Sequence, residues 1–261
     1  MNTWQATVLA VLMSVVTGSV QALTGSGTQE DPWLIQSLAD FDEFAGDDGY
    51  WSGHISLHVD VDLSGRVYDT AVIAPDTDNT TLEFEGTPFG GVFRGNNHVI
   101  QHLTIDPNEA EPRYVGLFGT IEGSAAQVDG LGIENAAIAC ISPAVCVGTL
   151  AGLSHGTISN CYATGSLEGD HYVGGLVGES SFGTISHCHT AVSITGSEAG
   201  NDWIGGLVGN NHSSIVSDSY STGSVTGNGF VGGLVGYNLG EISFCYASGP
   251  VEGLSLIHIS E

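Results

Sequence analysis

The chain has 261 residues, 29 of them acidic against three arginines and no lysine, for a formal net charge of −26 at pH 7. So negative a surface argues against nucleic acid and anionic membranes as partners. Its 39 glycines interrupt almost every stretch in which a helix could grow.

The first 22 residues, "MNTWQATVLAVLMSVVTGSVQA", combine an apolar run with small residues ending at Ala22. They predict a secretory signal and place the mature chain outside the cell, secreted or on the cell surface. The run is too short to span a bilayer comfortably, and no other segment is apolar enough. No membrane insertion is expected after cleavage.

Residues 23–88 are predicted to form an N-terminal cap and the first strands. Leu38–Phe44, "LADFDEF", has helical spacing and supplies the cap. In "HISLHVDVDLSG" the alternation turns Ile55, Leu57, Val59, Val61 and Leu63 inward and His58, Asp60 and Asp62 to solvent. Asp76, Asp78 and Thr80 imitate the start of an EF-hand loop. Thr81 stands where its glycine is required and Thr87 where its last acid belongs. Calcium is therefore a minor cofactor candidate, and no other cofactor is expected.

Residues 89–253 repeat. A glycine hexamer occurs as "YVGLFG", "VGTLAG", "VGGLVG", "IGGLVG" and "VGGLVG", ending at Gly119, Gly152, Gly178, Gly209 and Gly236. Each is followed by a pattern of the form I-x-x-C-x-A, as in Ile158–Cys161–Ala163, and a third apolar slot recurs at Leu167, Ile194, Val225 and Val251. Spacings of this size mean stacked supersecondary units. They are too short for propeller blades and lack the leucine-rich signature. The predicted fold is all-β: a parallel β-solenoid of about six or more coils with three short strands each. Asn160 is placed to bend the chain between Ile158 and Cys161. The hexamer is not a phosphate loop. A strand rather than a helix follows it, and the chain has no lysine to meet a phosphate. The glycines serve tight turns and close coil approach.

Taken together, "VGGLVG…GTISNCYATGSLEG" and its cognates resemble the GLUG repeat, over about residues 24–253. The chain departs at Arg94, where Asp is usual, and at "HTAVS", His189–Ser193, where "YATGS" is usual. The resemblance implies a right-handed parallel β-helix and a bacterial secreted or surface protein of adhesin-like character, and supplies no catalytic residues. GLUG repeats also occur in some immunoglobulin-A-cleaving peptidases, outside their catalytic parts.

Cys161, Cys188 and Cys245 share one column with Ser219 and read as buried free thiols. Cys140 and Cys146, in the insertion "CISPAVC", are expected to form a local disulfide, which an exported protein permits. His187 and His189 in "HCH" fall on one strand face but read as an exposed pair rather than a metal site. Two aromatic rows are the binding candidates: Tyr162, Tyr220 and Tyr246, with His189 in the gap, and Tyr172, Trp203 and Phe230. Such rows either support the coils by stacking or face a flat apolar ligand such as a sugar.

The predicted function is a secreted or cell-surface binding and spacer module, not an enzyme, with an extracellular glycan or surface protein as partner. The alternative is a polysaccharide lyase or hydrolase, which requires clustered acids of which "GDDG", Gly46–Gly49, offers one isolated pair. The tail, residues 254–261 ("LSLIHISE"), resembles translated adapter or vector sequence and is expected to be non-native, with a downstream domain missing. A short native terminal strand is the alternative.

Overall fold

A computed structural model describes residues 22–78, 81, 83–107, 112–140, 146–196 and 202–256. The signal reading falls almost wholly on residues outside this set. Among the described residues no helix is long and apolar enough to cross a membrane.

Small alternating segments between glycines can bury an apolar face only by stacking on one another, and here they stack as a parallel β-solenoid. Following one coil, Ala151–Ser154 lies on face C, Thr157–Ser159 on face A, and Tyr162–Gly169 then Tyr172–Gly174 on face B. The next coil begins at Val177–Ser181 on face C. Face A has eight strands, face B fourteen and face C five, and every strand pairing among them is parallel. The five strands of face C mark five complete turns, and face A runs on past them to Trp33–Ile35. A coil thus has four strands, not three, because a turn at Asp170–His171 divides face B.

The sequence slots become columns in register. On face A, Phe93, Val128, Ile158, Ile185, Val216 and Ile242 follow one another, one coil apart. On face B, Leu167, Ile194, Val225 and Val251 do the same. The bend expected at Asn160 is present. Asn160, His187, Asp218 and Phe244 form a column of left-handed residues, with φ of +53°, +54°, +49° and +54°. Asn and Asp tolerate this conformation best.

The hexamer glycines answer to close approach. A Cβ on Gly205 would stand 1.9 Å from the Val208 carbonyl oxygen across the turn, and one on Gly206 would stand 2.0 Å from the Gly233 carbonyl oxygen of the next coil. Neither neighbour is a side chain that could move aside.

The cap is a helix, α1, Leu38–Gly46, with Ser37 Oγ accepting from the Asp40 amide. It packs on the outermost strands of faces A and B, Trp33–Ile35 and Val61–Asp62. Phe41 and Phe44 are fully buried, and the Phe44 ring centroid lies 5.7 Å from that of Phe93. Trp51 Nε1 donates to the Phe44 carbonyl at 2.9 Å. Arg66 grips both carboxylate oxygens of Asp42 and ties the helix to the loop beneath it.

Residues 251–256 of the chain form the last strand, which pairs with Val225–Gly232, while 257–261 lie outside the described residues.

Candidate functional site: an aromatic corner around Glu179

Parallel strands in register place like residues about 4.8 Å apart, a distance that suits ring stacking. The first aromatic row uses it fully. Tyr162, His189, Tyr220 and Tyr246 stack at 5.2, 4.9 and 4.9 Å, with interplanar angles of 11° or less. The row is anchored at its Tyr162 end. Tyr162 donates to Glu134 Oε1 at 2.7 Å, and its ring fills the space a Cβ on Gly132 would take, 2.6 Å away. Burial and then the Glu134 contact push the Tyr162 hydroxyl up to about 12. Burial lowers the His189 pKa, favouring the neutral ring.

The "HCH" histidines do not share a strand face. His187 occupies the left-handed corner, and His189 begins the following strand inside the stack.

The second row is built differently. Tyr172, Trp203 and Phe230 are in register on face B, and Cys146 and Tyr114 continue the row in the preceding coils. Tyr172 and Trp203 stack at 4.6 Å. Trp203 then stacks at 4.3 Å on Tyr237, which comes from face C. Phe230, 39% exposed, leaves the parallel stack and meets Tyr237 edge-on at 6.1 Å. The side chains of the two faces therefore converge at this corner.

Polar groups lie beside the rings. Leu153, Glu179, Asn210 and Tyr237 form one column of face C. Glu179 is half-buried, and burial raises its pKa against the opposing pull of His212, of hydrogen bonds from Asn210 and Cys146, and of His155. Ser181 and His212, Oγ to Nδ1, are 3.3 Å apart. Among the described residues, three buried polar atoms in these columns have no hydrogen-bond partner: Thr120 Oγ1, His155 Nδ1 and Asn210 Oδ1. Four more such atoms lie elsewhere among the described residues, His54 Nδ1, Thr70 Oγ1, Asp76 Oδ2 and Ser221 Oγ. Buried polar atoms are ordinarily hydrogen-bonded, so each calls for a partner such as an ordered water.

The expected Cys140–Cys146 disulfide is not formed. All five cysteines are free thiols. Cys146 Sγ points into the corner, 3.8 Å from Glu179 Oε2, whereas Cys140 lies under the influence of Asp106 and Asp170, with burial as the main cause pushing its pKa up to about 12. The two thiols serve different surroundings at either end of residues 141–145. The other three play a role that spacing did not suggest. Each thiol donates to a carbonyl two residues back, Cys161 to Ser159 at 3.1 Å, Cys188 to Ser186 at 3.2 Å and Cys245 to Ser243 at 3.2 Å. Ser219 makes the same bond at 2.6 Å, which explains its place in the column.

Asp76 of the EF-hand-like stretch caps its own loop. Its Oδ1 accepts from the Glu85 amide at 2.9 Å, while Thr80 lies outside the described residues. Tyr237, Glu179 and the two flanking histidines escaped the sequence reading. Glu179 and His212 stand in different coils, and the signal that links them is their closeness to the hexamer glycines Gly178 and Gly209.

The comparisons with known proteins agree with this architecture. The GLUG motif model matches residues 204–226, one hexamer and the strands after it. Halomucin of Haloquadratum walsbyi is 36% identical over 166 residues, 62% of this chain but 2% of that protein. A candidate Gly-rich membrane protein of Evansella cellulosilytica is 34% identical over 139 residues, 52% of this chain and 15% of the relative. The chain thus corresponds to a small part of each relative's length. Among solved structures, a candidate immunoglobulin A1 protease from Bacteroides ovatus superposes with a TM-score of 0.70 at 20% identity, over 88% of this chain and 70% of that one, a likeness of fold alone. The chain is a parallel β-solenoid that carries the GLUG motif.

Proposed function

We propose that this chain is a surface-associated, non-catalytic binding module that holds a neutral extracellular glycan against the aromatic corner. The observation that carries the reading is the Tyr172–Trp203–Tyr237 stack set beside Glu179 and Asn210. Sugars are bound by rings that cover their apolar faces and by polar groups that meet their hydroxyls. Both rows stack ring on ring, but the Tyr162 row is drawn from face B alone and its Tyr162 end is closed by Glu134 and by the backbone at Gly132, which makes it the weaker candidate. Surface placement rests on the similarity to halomucin and to a membrane protein, and on the GLUG motif. The net charge disfavours acidic glycans unless a cation bridges them.

Glu179 favours one second reading, glycoside hydrolysis, since a carboxyl with a raised pKa suits a general acid. That reaction ordinarily needs a second carboxylate. The groups acting on Glu179 are His212, Asn210, Cys146 and His155, none of them a carboxylate.

Glycan-array binding with and without calcium tests the proposal. Trp203→Ala is expected to weaken any detected affinity several-fold, from the loss of about 1 kcal/mol of ring contact. Tyr220→Ala is expected to leave it unchanged. If both variants fold and bind as the unmodified chain does, the rings are structural and the rod is a spacer.

A further inference from the structure

We propose that Asp170, His171 and Asp202 form a binding site for a divalent transition-metal ion. One ligand atom from each residue, two carboxylate oxygens and an imidazole nitrogen, lies within 4.8 Å of the others. Such ions sit about 2.0–2.2 Å from oxygen and nitrogen donors, so ligand atoms around one ion are about 4 Å apart or less. The set has less than about 1 Å to close around an ion.

The fold places these residues together. Tyr172 pairs with Trp203 in adjacent coils, so the residues just before them, His171 and Asp202, stand abreast one coil apart. The His171 amide donates to Asp170 Oδ1 at 2.9 Å and to Asp202 Oδ1 at 3.3 Å, so the two carboxylates meet beside the His171 backbone. Asp202 is only 1% exposed, an unusual depth for a carboxylate. His171 is exposed and leaves a way in for an ion. Two carboxylates and a neutral imidazole carry a charge of −2, which a divalent cation matches. The imidazole favours zinc over calcium, which prefers oxygen donors alone, and the two carboxylates also suit manganese. An ion here joins two successive coils at the turn that leads into Tyr172 and Trp203.

The test uses the metal alone and does not depend on any glycan. The full chain, stripped with chelator, is titrated calorimetrically with zinc, manganese and calcium chlorides at a salt concentration near 0.15 M, which screens diffuse attraction to the acidic surface. Saturable binding of one zinc or manganese ion per chain is expected, with calcium weaker. His171→Ala should weaken it at least about tenfold, since loss even of an outer-shell partner costs that much. Asp202→Asn should do the same. If that buried change unfolds the chain, exposed His171 and half-buried Asp170, changed to Asn, carry the test. His187→Ala should change nothing. The proposal is overturned if the unmodified chain shows no saturable binding. It is also overturned if His171→Ala and Asp170→Asn bind as it does, or if the loss follows His187→Ala instead.

Discussion

The first coils and the repeat coils fill the same fold by different means. Near the cap the core is made of large rings. Phe41, Phe44, Phe89, Phe93 and Phe118 are all fully buried, and successive centroids from Phe44 to Phe118 lie 5.0 to 6.3 Å apart at steep angles. In the repeat coils the core is a set of narrow columns, valine, isoleucine and leucine with a line of Cys, Cys, Ser, Cys. Its spare volume is removed by glycines that bring backbones together. An interlocked ring cluster suits coils with irregular connections, since each ring can fill whatever space it meets. A column suits coils that repeat, since one solution serves every rung. It leaves less freedom at any single position.

The largest effect should therefore come from the smallest side chain. Gly205→Ala places a methyl 1.9 Å from a backbone oxygen and is expected to cost more than about 4 kcal/mol or to prevent folding. The same change at Gly46, the last residue of α1, meets nothing within 4 Å. It should be neutral or stabilise by up to about 1 kcal/mol through the unfolded chain. Denaturant unfolding of the pair checks both signs. If Gly205→Ala is tolerated, the distinction between the two regions fails.

Phe93→Ala ranks next. It removes the ring that contacts both Phe44 and Phe118, at an expected cost of about 3–5 kcal/mol. The irregular end should relax partly around the cavity, so the value should fall in the lower half of that range. A loss in the upper half would show that the ring cluster is as unforgiving as the columns.

The thiol column gives the smallest and sharpest contrast. Cys188→Ser keeps the donor that Ser219 already supplies one coil on and should cost less than about 1 kcal/mol. Cys188→Val stays apolar, loses the donor and adds a branch that crowds the column, and should cost about 1–3 kcal/mol. Thermal unfolding of the two variants decides between donor and filler. If serine proves worse than valine, the column is held by packing and its hydrogen bonds are incidental.

The chain order of residues already determined much of this protein. The glycine hexamers and the slots at Ile158, Leu167 and their cognates determined a parallel β-solenoid, because a short repeat can bury its apolar side only against its own copies. The helical spacing of Leu38–Phe44 determined the cap, and the parity of Tyr172, Trp203 and Phe230 determined a row. Features set by a period are legible in one dimension. The tertiary structure decided whatever depends on how one face meets another. It brought Tyr237 onto Trp203 and drew Glu179, Asn210 and His212 in beside them. It turned Cys146 toward Glu179 rather than Cys140, and it set Asp202 abreast of His171 across a coil boundary. These contacts join residues that belong to different coils. Their geometry is fixed by the angle between two sheets and the depth of a turn, and neither leaves a period in the sequence.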